Sequence, residues 1–557
     1  MHRRTFLRTV GTGTVGSTLG VYSVAAEQNV PSKAKYNLPT REVNAENIPT
    51  KEKTDTSFQP LGAVSVRGAR DAAVHHDDEI VYVAGQDGFA VVDISDPAEP
   101  TVIAECREIA TDEDETLGHI WDLWPSGDRL AVVGPAVYRP SSPGGVALFD
   151  ISNPSEPEQV AFHPTEHYIH NSFFADDIVY LTGSGLDEWP LVMVDVSDDE
   201  PTEVGRWSLL EYDDAWADVV PSLRLLHDVY VQDDIAYLLY WDAGTWLVDV
   251  SDPTTPEVRS AVMDYSRADL QAITPEQSQL VDQTVPGNHH YAQVDESGDV
   301  LVVGREAWTV EDTDGLVSEP GTLLGAPGGL TLWDVSETRQ PRYLADIEPP
   351  ESFNATRDGW FTTAHNCDIV GDRLYASWYF GGITVHDISD PTEPERIAWW
   401  RNPEQAAFWT AQAADGVFVA SSADLRDFSS SLNETQEELY VFPDQAGEQP
   451  DPPDLTTRPD NHFDANPTTD QPRGERIPLA PDEPFVLSTI DGNHEVRPIS
   501  DIPPAALSDA SESAAGENRS NESGDSIDGV GPGFGIAGVL GALGLGYLWR
   551  RTRTENE

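Results

Sequence analysis

Five histidines stand at one recurring position of this 557-residue chain. His119, His170, His227, His290 and His365 each precede a short run of alternating and β-branched residues, as in "HNSFFADDIVYL" and "HDVYVQDDIAYL". Ala72 and Trp409 take the matching place in the first and seventh runs. Neutral imidazole ligates copper and zinc alike, so converging rings would hold a transition metal, with His289 beside His290 as an extra ligand. The same rings would equally serve structure, each hydrogen-bonding the backbone of a neighbouring repeat, and acid/base or ligand contact is a third use. At this stage all three stay open.

Other chemistry is sparse. A recurring Asp-[Ile/Val]-Ser phrase invites calcium, but each copy offers only one or two carboxylates on a turn that caps its own backbone. Cys367 lies two residues from His365, an arrangement that shares a strand face without requiring reaction. The two cysteines, Cys106 and Cys367, give no disulfide framework. There is no Gly-rich phosphate loop, HExxH, GxSxG or CxxC.

The elements that must position the histidines repeat along the chain. The phrases "GFAVVDISDPAEP", "GGVALFDISNPSEP", "PLVMVDVSDDEP", "GTWLVDVSDPTTP", "GGLTLWDVSETRQP" and "GGITVHDISDPTEP" carry Asp93, Asp150, Asp195, Asp249, Asp334 and Asp387. Around each, the pattern reads strand, acidic tight turn, strand, loop, strand, Ser-Asp-Pro turn, strand. Copies recur every 45–57 residues with one longer interval, the spacing of four-stranded propeller blades. A seventh copy ending in "ELYVF" at Glu438 lacks its fourth strand, and "FQPLGAVSVRG" at Phe58 is a fourth strand without a blade. The expectation is an all-β, seven-bladed β-propeller over 58–445, closed by pairing residues near 60–67 with the strand near 438–442, since closure protects sheet edges.

"FAVVDISDPAEP", "WLVDVSDPTTP" and "ITVHDISDPTEP" resemble the LVIVD repeat of bacterial and archaeal surface proteins. The resemblance covers about 58–443 and implies the propeller fold; the family implies no settled activity. The Asp-Asp, Gly-Asp and Ser-Asp-Pro turns put short connections on one face. Long ones, starting at Tyr138, Ser208, Asp264, Glu306 and Glu348, fall on the other, where function usually sits. A short helix is expected around Leu270–Leu280.

Charge narrows the partners. The chain has 97 acidic and 33 basic residues, a net −64, and its four lysines (Lys33, Lys35, Lys51, Lys53) all lie near the amino end. Nucleic acid would be repelled. With 39% hydrophobic residues and 15 tryptophans the body is foldable, and the acidity reads as adaptation to very high salt, where self-repulsion is screened.

The ends read as address signals. "HRRTFLRTVGTGTVGSTLGVYSVAA", with Arg3 and Arg4, resembles a twin-arginine export signal over 1–26, an ordinary basic amphipathic start being the alternative. A spacer follows over 27–57. Residues 446–529 are rich in Pro, acidic residues and Ser, and read as a disordered stalk, with an isolated strand at Pro484. The segment 530–557 has Pro532-Gly533-Phe534, an apolar run and Arg550, Arg551 and Arg553. It resembles an archaeal PGF-type sorting signal, which implies cleavage by an archaeosortase-type enzyme and transfer to membrane lipid; a plain anchoring helix is the alternative. Asn354, Asn433, Asn518 and Asn521 begin glycosylation sequons.

Together these resemblances imply a surface protein of a halophilic archaeon, exported and held on the outer face of the membrane. The leading expectation is a non-enzymatic propeller that binds a ligand, or a cell-envelope protein or glycan, through its long-loop face. The alternative is an extracellular copper- or zinc-dependent oxidoreductase or hydrolase built on the histidine ring.

Overall fold

The computed structural model describes residues 57–75, 79–111, 115–137, 143–198, 200–457, 473–490 and 492–502. Seven antiparallel blades follow one another in chain order. Blade 4 shows the pattern from inner to outer strand: Asp228–Gln232, Ile235–Leu239, Thr245–Asp249 and Glu257–Met263. Blade 7 contributes Phe408–Ala414, Val417–Ser422 and Glu438–Pro443, and its fourth strand is Gly62–Ser65 from the other end of the fold. Phe58 stacks against Phe418 and Phe442 beneath that closure, and is fully buried.

The repeated phrase builds two local devices. In all six copies the Asp carboxylate accepts the backbone N–H two residues on: Asp93 from Ser95, Asp150 from Ser152, Asp195 from Ser197, Asp249 from Ser251, Asp334 from Ser336 and Asp387 from Ser389. Each carboxylate is thus used by its own turn. Pairing with the outer strand also slips at one fixed place, Val91/Val92 in blade 1 through Val385/His386 in blade 6. A bulge there adds twist and lets the outer strand wrap its neighbour. Between blades the apolar faces pack as separate layers, for example Val179, Val192 and Phe174 against Ala131 and Leu148.

Part of the expected stalk is folded against the ring. Gly447–Glu448 pairs in parallel with Glu395–Trp400. Phe485–Ile490 adds a fifth strand to blade 4, and Asn493–Pro498 a sixth. The strand at Pro484 is therefore not isolated: Val486 and Leu487 are buried on blade 4, and main-chain pairing with the exposed edge supplies what the polar composition lacks. Stalk residues 458–472, 491 and 503–529 (with Asn518 and Asn521), the export signal with Arg3 and Arg4, the 27–56 spacer and the 530–557 segment with Pro532, Gly533 and Phe534 lie outside the described residues.

The long connections form local structure of their own, apart from residues 138–142 of the one starting at Tyr138, which lie outside the described residues. The expected helix is two short ones, Arg267–Gln271 and Pro275–Val281, each opened by a capping box (Ser266 with Asp269, Thr274 with Gln277). Thr309–Asp312 and Thr322–Gly325 form a hairpin within the insertion of blade 5. Asn354 is fully buried and its Oδ1 accepts from Thr356 N–H and Oγ1–H, so this sequon is closed to glycosylation in the folded chain. Among the described residues no helix is long and apolar enough to cross a membrane.

Candidate functional site

One residue per blade forms a closed ring at the channel mouth. His170, His227, His290 and His365 stand in blades 3 to 6, with ring centroids 4.5, 4.2 and 4.4 Å apart in succession. Trp409 of blade 7 follows at 4.4 Å from His365, and Trp121 of blade 2 lies 5.7 Å from His170. Arg70 of blade 1 closes the circle, its guanidinium 5.7 Å from Trp121 and 5.4 Å from Trp409. Asp427 pairs with Arg70 at 2.7 Å, so a cation sandwiched by two indoles is also neutralised.

Four of the five predicted histidines are in the ring and His119 is not. It lies two residues before Trp121, with left-handed backbone (φ 53°), its N–H donating to the Gln86 carbonyl. Ala72 is likewise displaced by Arg70. The sequence carried a usable signal: Arg70-Asp71, Trp121-Asp122, His170-Asn171, His227-Asp228 and His365-Asn366 each place an acid or amide after the ring residue. Matching on that pair rather than on histidine gives the observed register in these five blades; His290-Tyr291 and Trp409-Thr410 do not carry it.

Those following residues line the next level down. Asp71, Asp122 and Asp228 are all buried. Ser172 donates both its N–H and Oγ–H to Asp122 at 2.6 Å, and Asn366 Nδ2 donates to Asp71 at 3.0 Å. Burial raises all three carboxyls, Asp122 to about 7, and the neighbouring carboxylate adds to the rise at Asp71 and Asp228.

The imidazoles are set by their backs. Nδ1 of His170, His227 and His365 lies 2.8, 3.2 and 2.6 Å from the carbonyls of Ala136, His290 and Trp409, each in an adjacent blade or the loop leading to it. A carbonyl only accepts, so Nδ1 carries the proton and Nε2 keeps its lone pair. Burial lowers all of these pKa values, His365 to about 3. The rings are neutral near pH 7.

His290 differs from the other three. Its Nδ1 is buried without a hydrogen-bond partner, and its Nε2 is 3.6 Å from Glu306 Oε2. Glu306 starts the insertion of blade 5, and its other oxygen accepts from Tyr379 Oη–H at 2.6 Å. Burial pushes the Glu306 carboxyl up to about 7. Donor atoms of His227, His290 and Glu306 all lie within 4.8 Å of one another. The sequence reading missed Glu306 as a site residue because it belongs to no repeat.

His289 faces away and is no ligand of this ring. Its Nε2 meets Asp264 at 3.0 Å and its Nδ1 accepts from Thr245 Oγ1–H at 2.8 Å. Arg305 clamps the same carboxylate at 2.6 and 2.9 Å. Cys367 is buried in an apolar layer with Tyr291 and Ile369, and burial pushes its thiol up, so it forms no nucleophile pair with His365.

Above the ring, loops from three insertions wall a narrow pocket with a cavity volume of about 20 Å³. Trp308, Phe361, Tyr379 and Phe428 form its sides, and Arg357 lies across Trp308 at 5.0 Å. An LVIVD repeat profile matches residues 69–107 and 226–264, which are blade 1 and the stretch from Leu226 through blade 4. The chain carries LVIVD repeats. Similar solved structures include the β-propeller domain of Myceliophteria thermophila Cps50 (Swd1), at 9% identity and TM-score 0.44, covering 69% of this chain and 99% of that one. BamB from Moraxella catarrhalis aligns at 10% identity and TM-score 0.41, covering 69% of this chain and 99% of that one, and the WD40 β-propeller domain of Doa1 at 10% and 0.40, covering 70% and 98%. No curated protein matches this LVIVD-repeat chain in sequence.

Proposed function

We propose that this LVIVD propeller is an exported surface protein that captures a small ligand in the pocket at its channel mouth. One observation carries the reading: the long-loop face converges on a concave, aromatic-walled site with a histidine floor, one acid and one arginine. A few polar groups among aromatic walls are what ligand sites use to orient a bound molecule. On the opposite face the aspartates of the repeated Ser-Asp-Pro turns are taken up by their own backbones. Display outside the cell rests on the resemblances at the two ends and on the net charge of −64, suited to molar salt.

Binding is tested with a panel of small aromatic acids and amines by saturation-transfer NMR on the purified chain in molar KCl. A hit lost on Trp409→Ala and kept on Asp390→Asn, a residue of the short-turn face, supports the pocket. A hit indifferent to Trp409→Ala, or no hit at all, contradicts it. Export is tested separately: Arg3→Lys with Arg4→Lys leaves precursor in the cytoplasm, and deleting 530–557 releases the body to the medium. Membrane retention of the truncated form sinks the anchoring part.

A further inference from the structure

We propose that the channel mouth is a binding site for one divalent transition-metal ion, held by His227, His290 and Glu306. The inference rests on the pocket reading above and names the group at its floor. Two neutral imidazoles and one carboxylate are a donor set for zinc, copper or iron(II), while the hard cations calcium and magnesium want oxygen throughout. Three donors also leave a coordination position open.

Three features of the site point to an ion. First, His290 is 3% exposed and its Nδ1 is buried without a hydrogen-bond partner, while the Glu306 carboxylate stands 3.6 Å from Nε2, too far for a hydrogen bond. Native structures rarely leave a buried imidazole so short of partners. Second, the supports around it are those of a ligand set. His227 gives its Nδ1–H to the His290 carbonyl, which leaves the Nε2 lone pair for a metal. Tyr379 occupies one oxygen of Glu306 and leaves the other toward His290. Outer contacts of this kind fix tautomer and orientation in metal centres. Third, the 3.6 Å between His290 Nε2 and Glu306 Oε2 suits two ligands of one ion at about 2.0–2.2 Å each. The open position then faces the aromatic pocket, where a captured molecule would complete the coordination. His365 and His170 stand beside the set with further Nε2 lone pairs.

Among the described residues no second set of three such donors converges. The His289 cluster has every donor atom of its histidine and carboxylate occupied. The buried aspartates at the next level are each tied to backbone or side-chain donors.

The test uses the full chain, stripped with chelator and returned to molar KCl, titrated with cobalt(II) and then zinc. An acidic surface collects cobalt as weakly absorbing six-coordinate aqua ions, so intense ligand-field bands report the mouth site alone. The expected result is saturation at one cobalt per chain, displacement by zinc, and affinity at least about 100-fold weaker in His290→Ala and in Glu306→Gln. His119→Ala serves as the control with unchanged binding, and melting curves confirm that each variant is folded. Glu306→Gln keeps shape and the Tyr379 contact, so it remains informative if His290→Ala fails to fold. Absence of the intense bands, or bands unaffected by Glu306→Gln, overturns the inference. If the metal-free chain still binds the small aromatic panel, the pocket reading stands and only the ion falls.

Discussion

His289 and His290 are chain neighbours on opposite sides of one strand, and each faces a buried carboxylate. Around His289 every partner is supplied: Thr245 and Asp264 use both ring nitrogens, and Arg305 and the Gly287 N–H complete Asp264. Around His290 the accounting stays open, with Nδ1 unmatched and no lysine or arginine within salt-bridge distance of Glu306 among the described residues. Electrostatics follow suit. Burial alone would raise Asp264, but Arg305 and His289 outweigh it and hold that carboxyl well below the usual range; Glu306, with burial dominant, rises to about 7. A saturated buried cluster is architecture, and an unsaturated one on a pocket floor is a place for something to bind.

The largest effect should come from breaking the saturated side. Asp264→Ala leaves the Arg305 guanidinium buried and unpaired, and should cost about 3–5 kcal/mol in denaturant unfolding at constant molar salt. A loss below about 1 kcal/mol would mean the two sides are not different in kind. On the open side the sign reverses. Glu306 titrates at about 7 folded and near 4.5 unfolded, so its contribution is intact below pH 4.5 and is lost as pH rises through 7. In metal-free protein Glu306→Gln should therefore match the parent near pH 4 and exceed it at pH 8, by on the order of 1–3 kcal/mol. A destabilised Gln variant at pH 8 would show that Glu306 already has a structural partner.

A smaller, graded effect separates the ring from the rest. His365 titrates at about 3 folded against about 6.5 unfolded, and His170 is lowered in the same sense by burial. The unfolded chain then binds more protons below pH 6.5, so stability should fall as pH drops from 7 to 5 and be unaffected by this term above 7. His365→Gln should flatten that slope without changing the plateau order. An equal slope in both proteins would place the acid sensitivity elsewhere.

The blades were legible because their signal is local and copied: Asp-Ser turns, β-branched strands and acidic tight turns recur at fixed offsets, and the orphan strand at Gly62–Ser65 announced closure. The ring was legible only where histidine fills it. In blades 1 and 2 the position holds Arg70 and Trp121, and His119, two residues early, supplied a false match. Glu306 and Arg357 come from unrepeated insertions, so only packing brings them to the mouth. The hairpin Phe485–Pro498 was hidden for a related reason, since an edge of blade 4 rather than its own composition stabilises it.

The most direct measurement is anomalous diffraction at the zinc edge from crystals grown in molar salt with zinc added. A single strong peak bounded by His227, His290 and Glu306, with the His289–Asp264–Arg305 cluster unoccupied, is the predicted result. Peaks confined to surface carboxylates, with the channel mouth empty, would contradict the account.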